Sequence, residues 1–424
     1  MARWSESDLE ARLCRVLDIA KTTVNYFALD GYTDEKSQAY SFGPEKVVAE
    51  AAMLAYAASG CGQRTNVASR VDELARLLIP HARSERVLVD IAMHPALVFK
   101  FALPHVLLSR LGYRDAGFDD FLRSCVSAQA RNGRDRGPSA LVERSWIWSL
   151  WTGQAGSRSE LLESVLTWPV DILGGLREDC YAFTHLILYF TDFGSQSRRL
   201  PRARSIILGE ARSLLARYLD SEDYDLAGEI LMAWPLLSAP WSSAATFGFR
   251  VLTSVEDEAG ILPCGNINLG RLTELHGAER ARYALGTAYH TVFVMGFLCA
   301  VSLRPGRVPP VRIVGSQFDE TCLRSLLRHV DDDQGHWQSE FSRLAGIEQR
   351  ALTPFILDIA IVQRHRNRDY EAVKELLAIA SEYGIADSPL CSQAAELLER
   401  IAHCSSAICL QRTSTRLHDQ GAAC

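Results

Sequence analysis

The sequence predicts an all-α protein built of helical hairpins, and three observations predict it. Apolar residues recur three and four positions apart through most of the 424 residues, the spacing that gathers them on one face of a helix. Alternating apolar and polar runs, the mark of half-buried strands, are almost absent, so fewer than about one residue in ten is expected in strands, against a usual fifth to quarter. The stretches between periodic segments are short, as expected of consecutive helices packed antiparallel.

The elements follow in order. "LEARLCRVLDIAKTTVNYFAL" (9–29) is an amphipathic helix that, with its linker, forms a first region over residues 1–43. "EKVVAEAAMLAYAASG" (45–60) and "VASRVDELARLLIPHA" (67–82) come next, closed at Gly60 and near Pro80, because glycine ends a helix at little cost and proline lacks the donor that continuation needs. His105 follows Pro104 at an expected helix start, with Gly112 as its stop. "FDDFLRSCVSAQA" (118–130), "SALVERSWIWSLWTG" (139–153), "ARSLLARYLD" (211–220) and "YDLAGEILMAWPLL" (224–237) continue the array. "EAVKELLAIASEYG" (371–384) and "QAAELLERIAHC" (393–404) end it. The division expected is a helical array over 44–350, C-terminal helices over 351–403 packed on it, and a mobile tail over 404–424.

Composition narrows the function classes. With 48% hydrophobic residues the chain has ample material for a core, and a net charge of −6 gives no general attraction to nucleic acid or an anionic membrane. Neither is expected as a partner. Eleven cysteines, an odd number without a Cys-x-x-Cys pair, point to reduced thiols in a cytoplasm. The charged opening "MARWSESDLEARL" has no signal-peptide core. Residues 283–303, "YALGTAYHTVFVMGFLCAVSL", run without a formal charge. With His290 inside it, this segment is expected to be a helix buried on all sides and not a membrane span.

A short echo suggests repetition: "ALPHVLL" (102–108), "AFTHLIL" (182–188) and, more weakly, "AYHTVFV" (288–294). A second feature lies at residues 254–270, "SVEDEAGILPCGNINLG", which leave a helix through acids, turn at Gly260 and enter a polar loop. This resembles the turn joining outer to inner helices in the α/α toroids of terpenoid cyclases, protein prenyltransferase β-subunits and lanthipeptide cyclases. The resemblance covers residues 44–310 and implies helical hairpins closed into a ring, with an open α-solenoid as the alternative. Catalytic motifs do not carry over. "VDDDQGHW" has Gly335 where an Asp-Asp-x-x-Asp motif needs its last carboxylate, and neither an Asp-x-Asp-Asp nor a Cys-His-Gly zinc motif occurs. On that architecture residues 95–111, 178–193 and 283–303 are inner helices, and His105, His185 and His290 face one cavity.

The polar stripe in "REDCYAFTHLILYFTDFG" (177–194) is the candidate site. A heptad step on a helix returns to within about 20° of its start. Glu178, His185 and Asp192 therefore fall on one line, with Tyr181 and Tyr189 a turn to either side of the histidine. Asp192, near the helix C-terminus, opposes the helix dipole and needs a cation: Arg198, Arg199, an imidazolium or a metal. His185 is expected as general acid or base oriented by Asp192, with Tyr181 and His290 as donors to developing negative charge. Glu178, Tyr189, Trp151, Trp234, Asn266 and His105 are expected to bind substrate. Asp225 and Glu229, four apart, share a helix face and read as an ordinary solvated stripe rather than a working carboxylate pair.

No cofactor is expected, but a divalent metal such as zinc would draw on His185, Asp192, His290 and Cys264, with His276 and Glu229 as further donors. The common hydrolase, kinase and dinucleotide motifs are missing. The reading is an enzyme of specialised metabolism that acts on a small molecule or modified peptide by lyase or cyclase-type acid/base chemistry. The alternatives are a helical scaffold or partner-binding protein, and a metal-dependent hydrolase.

Overall fold

The computed structural model describes residues 4–34, 41–127, 137–154, 164–265, 267–332 and 335–404. The protein is 71% helical with about 1% strand, so the all-α class stands. Its elements are α1 (Glu6–Phe27), a two-stranded antiparallel pair β1 (Tyr32–Thr33) and β2 (Ser41–Phe42), α2 (Pro44–Ser59), α3 (Thr65–Ala82), α4 (Glu85–Met93), α5 (Val98–Arg110), α6 (Ala116–Ser127), α7 (Pro138–Thr152) and α8 (Arg177–Thr191). Then come α9 (Arg204–Asp220), α10 (Tyr224–Leu231), α11 (Ala233–Leu236), α12 (Ser243–Ala259), α13 (Leu269–Glu274) and α14 (Gly277–Ser302). The C-terminal part holds α15 (Glu320–Leu327), α16 (His336–Ser342), α17 (Gly346–Ala351), α18 (Thr353–Arg366) and α19 (Tyr370–Glu382), followed by a helix from 389 to 404. The tail expected over 404–424 lies, beyond its first residue, outside the described residues.

The sequence signals for helix ends act as expected at several places. Ser5 and Asp8 form a reciprocal capping box at the start of α1. Gly153 and Gly260 end α7 and α12 in the left-handed conformation that glycine adopts without strain. Two proline expectations are corrected. Pro80 lies inside α3, which runs on to Ala82. Pro104 lies inside α5, so His105 is mid-helix and not at a start. The break sits earlier, at His94 and Pro95, where the chain turns through 111° between α4 and the segment that becomes α5. Proline disfavours a helical residue before it without forbidding one, and of the residues before these prolines His94 is the one that leaves the helical region (φ −124°, ψ 63°).

Six helices pack in cyclic order: α2 on α5, α5 on α7, α7 on α8, α8 on α10, α10 on α14, and α14 back on α2. The three segments expected as inner helices supply α5, α8 and α14 of this ring. Helix α1 packs on α14, α2 and α3, α3 packs on α2, and α9 and α12 pack on α10. A continuous apolar core runs from Trp4 to Ala394, so α1 and the C-terminal α18 share it with the ring. Buried ion pairs tie outer elements together, Arg12 with Glu256 and Arg250 with Glu340 at 2.9 Å.

Among the described residues, helix α14 is long and apolar enough to resemble a membrane span, and 83% of its most apolar stretch is buried inside the protein. It is apolar on every face because it has neighbours on every face. Close approach is possible at its glycines: a Cβ on Gly286 would fall 2.6 Å from the Tyr32 ring, and one on Gly296 would fall 2.6 Å from Val16 Cγ1.

Candidate functional site

A cavity of about 610 Å³ is lined by residues from all six ring helices. Part of its wall is apolar, from Met53 on α2, Phe101 and Leu103 on α5, Leu188 on α8 and Val294 and Phe297 on α14. Its polar end gathers Glu50 from α2, Glu143 from α7, His185 and Tyr189 from α8, Glu229 from α10 and His290 from α14. These side chains come from five helices, so only the tertiary packing assembles them.

Asp225 and Glu229 anchor the group. Both are buried on α10, a helix buried along its whole length, which is why neither faces solvent as an i, i+4 stripe would. Asp225 Oδ1 accepts from Thr291 Oγ1 at 3.0 Å and meets His290 Nδ1 at 2.7 Å, while Oδ2 accepts from Tyr181 Oη at 2.6 Å. Arg177 stands 3.8 Å from Oδ2, with its main partner Asp223. Burial acts to raise the Asp225 carboxyl, but the His290 charge and these hydrogen bonds prevail and hold it well below the usual carboxylate range. Glu229 Oε2 accepts from Thr184 Oγ1. Its other oxygen, Oε1, lies 3.6 Å from His185 Nε2 and 3.9 Å from His290 Nε2.

The two imidazoles differ in how firmly they are held. His290 is fixed by Asp225 through Nδ1, and its Nε2 faces Glu50 Oε1 at 4.0 Å as well as Glu229. Burial opposes a charge on His290, but Asp225 and Glu50 outweigh it and lift the imidazole to about 10. His185 has no hydrogen bond at normal length, and 40% of its side chain is exposed to the cavity. Burial opposes its charge too, and Glu229 more than compensates, raising it. The rings of Tyr181 and Tyr189 flank it at 5.8 and 5.9 Å. Tyr189 stacks on Trp146 and donates its hydroxyl to Glu143 at 3.1 Å. Burial raises Glu143 against that hydrogen bond, favouring the protonated acid.

Of the residues singled out in the sequence, the structure brings His185, His290, Tyr181 and Tyr189 together. Asp192 is not with them, which corrects the heptad line. Helix α8 ends at Thr191, and Asp192 takes a left-handed conformation (φ 49°) that carries it off the helical path. It accepts from Trp146 Nε1 at 2.9 Å, Ser195 Oγ at 2.6 Å and Tyr56 Oη at 3.1 Å, so neutral donors satisfy it where a cation was expected. Glu178, in the first turn of α8, is exposed and away from the cavity. His105 is also displaced from the expected site. It is fully buried and stacked on Phe118, with Nδ1 accepting from Arg83 and Nε2 donating to Asp119 at 3.0 Å. Trp151 donates to the same Asp119 oxygen at 2.9 Å and is a packing residue there. Trp234 is buried in α11, and Cys264 lies between α12 and α13, neither on the cavity wall. Asn266 lies outside the described residues. Sequence reasoning missed Glu50 and Glu143, and misjudged Asp225 and Glu229. The signal present was an acid inside an otherwise apolar helical segment, such as Glu50 in "EKVVAEAAMLAYAASG".

A family model described as "Domain of unknown function (DUF6895)" matches residues 13–300. The chain belongs to that family. The DUF6895 region spans the ring helices, α14 to within two residues of its end, and contains every site residue from Glu50 to Thr291. No curated protein and no solved structure matches the chain.

Proposed function

We propose that this chain is an enzyme that acts on a small molecule or modified peptide by proton transfer in the cavity, with chemistry of the lyase or cyclase type. The observation that carries the reading is the convergence of two imidazoles from different helices on one carboxylate oxygen, Glu229 Oε1, at 3.6 and 3.9 Å. They meet at the polar end of a partly apolar cavity whose 610 Å³ suits a small ligand. His185 is the mobile acid or base, since it reaches the cavity and is held by no hydrogen bond of normal length. His290, fixed and kept charged by Asp225, stabilises negative charge as it develops. Glu143, at the same polar end and held by Tyr189, supports acid catalysis, because burial favours its protonated form. The cyclic packing order of the six helices supports a closed α/α toroid over an open solenoid. The nine described cysteines, all free, support a reducing, cytoplasmic location.

The test is substrate discovery by difference. Purified protein and its His185→Ala variant are incubated with metabolite extract of the source cells and compared by mass spectrometry. The expected result is a feature consumed by the wild type alone, with a product at the same oxidation level. Identical profiles for wild type, variant and buffer would overturn the reading.

A further inference from the structure

We propose that the site binds a divalent transition-metal ion of the zinc class, with Glu229, His290 and His185 as ligands, Glu50 reaching in from α2, and Asp225 orienting His290. The inference rests on the reading above and reassigns its imidazoles: on binding, both Nε2 atoms would give up their protons to become ligands, the ion would take over the stabilisation of negative charge, and Glu143 would remain as the acid of the cavity. The ligand set rests first on spacing. Two ligands each about 2.1 Å from a shared ion lie no more than about 4.2 Å apart. Glu229 Oε1 stands 3.6 Å from His185 Nε2 and 3.9 Å from His290 Nε2, and Glu50 Oε1 stands 4.0 Å from His290 Nε2. All three distances are too long for direct hydrogen bonds and fall inside that limit. Donor atoms of Asp225, Glu229 and His290 lie within 4.8 Å of one another, which gathers two of the proposed ligands and the carboxylate that orients one of them.

The second observation is independent of spacing. Glu229 is a buried carboxylate, 4% exposed, and its Oε1 accepts no hydrogen bond of normal length, whereas Oε2 takes one from Thr184. Glu50 Oε2 is buried without a hydrogen-bond partner. Buried charged oxygens are ordinarily satisfied, by hydrogen bonds or by coordination. The third is the arrangement around His290. Its Nδ1 is taken by Asp225 at 2.7 Å, which leaves Nε2 as the donor atom facing the cavity. This carboxylate–histidine pairing fixes the tautomer a metal needs. Imidazole with carboxylate donors suits zinc, and also manganese, iron and cobalt, over calcium or magnesium.

The experiment is metal binding by the full chain, stripped by dialysis against a chelator and titrated with Zn²⁺ and, for its visible bands, Co²⁺. One equivalent is expected, with a raised Tm and Co²⁺ absorption displaced by Zn²⁺. Glu229→Gln, of the same shape, should abolish stoichiometric binding. His185→Ala, at a partly exposed position, should weaken it and serves if the buried variant fails to fold. Asp225→Asn should lower affinity by about 10–100-fold while keeping the stoichiometry. Glu222→Gln, beside His336 outside the cavity, should leave binding unchanged. A wild type that takes up no stoichiometric ion, or whose affinity survives both Glu229→Gln and His185→Ala, would overturn the proposal. Absence of stoichiometric metal uptake together with turnover by the metal-free protein would overturn it while leaving the enzyme reading intact. Tight binding without any metabolite consumed would do the reverse.

Discussion

His290 on α14 and Asp225 on α10 meet through Nδ1 and Oδ1 at 2.7 Å, and the next residue along α14, Thr291, donates to the same oxygen at 3.0 Å. With Tyr181 on Oδ2, three elements of the ring are pinned to one buried carboxylate. Removing it leaves an imidazole and two hydroxyls unpaired. Asp225→Ala is therefore expected to lower stability by about 3–5 kcal/mol, the usual cost of breaking a buried charged pair by deleting one partner. Urea denaturation checks this; a loss under about 1 kcal/mol would mean that water replaces the carboxylate.

His185 is built differently, and its variant separates structure from function. Its side chain is 40% exposed and its nearest charged partner is 3.6 Å away. His185→Ala should cost about 1 kcal/mol, less than Asp225→Ala, because it removes a partly exposed imidazole with no hydrogen bond of normal length while taking a cationic neighbour from buried Glu229. Once a substrate is in hand, turnover should fall by about 10²–10⁴ for loss of general acid or base help. Activity within twofold of wild type in the folded variant would remove His185 from the chemistry.

Asp192 carries the opposite expectation. It holds Tyr56, Trp146 and Ser195 together at the end of α8 and lies off the cavity wall. Asp192→Ala should cost about 1–3 kcal/mol by leaving buried donors unsatisfied. Asp192→Asn should cost less, because asparagine accepts hydrogen bonds and tolerates the left-handed backbone at φ 49°. Turnover per folded molecule should be unchanged in both, and a large catalytic loss would restore Asp192 to the site.

Those variants mark what the sequence made legible. Helical periodicity is local and survives any tertiary arrangement, so the all-α fold class and the helical character of the three segments containing His105, His185 and His290 were readable. The heptad argument worked between His185 and its flanking tyrosines because all three lie inside α8. It failed at Asp192 because a single left-handed residue ends the helix, and Asp192 itself can adopt that conformation. Asp225 and Glu229 were misjudged for another reason. An i, i+4 acid pair has the same spacing on a solvated face and on an inner one, and only the packing of α9, α12 and α14 around α10 decides between them. His105 shares its motif with His185, yet Arg83 and Asp119 from neighbouring segments turn it into the core.

His105 gives the pH prediction. Burial holds it below the usual imidazole range, more than the hydrogen bond to Asp119 restores. The unfolded chain takes up a proton near pH 6.5 while the folded chain resists it. Its contribution is therefore fully present above about pH 6.5 and is lost as pH falls toward the lower folded value. Asp119, also held below its usual range, adds a loss only at more acid pH. The stability difference between wild type and His105→Gln, from urea midpoints between pH 7.5 and 5, should shrink on acidification. Comparison with the variant cancels the contributions of His185 and His290, which are raised and have the opposite sign. A difference that grows as pH falls would mean the imidazole is charged in the fold.

Gly296 tests whether α14 is gripped as closely as the packing indicates. A Cβ there would fall 2.6 Å from Val16 Cγ1 and 2.9 Å from Leu54 Cδ1, both methyl groups of fully buried side chains with little room to turn aside. On an isolated helix, Gly→Ala gains about 1 kcal/mol of propensity. Overpacking a filled core costs about 1–3 kcal/mol, so the net effect should be a loss. The two terms are separable because the clash has a named partner. Val16→Ala alone should destabilise by emptying space, but in the Gly296→Ala background it should make room for the added methyl. The double variant should be more stable than the sum of the singles by about 0.5–3 kcal/mol. Strict additivity, or a Gly296→Ala protein more stable than wild type, would show that α1 and α2 stand further from α14 than this packing places them.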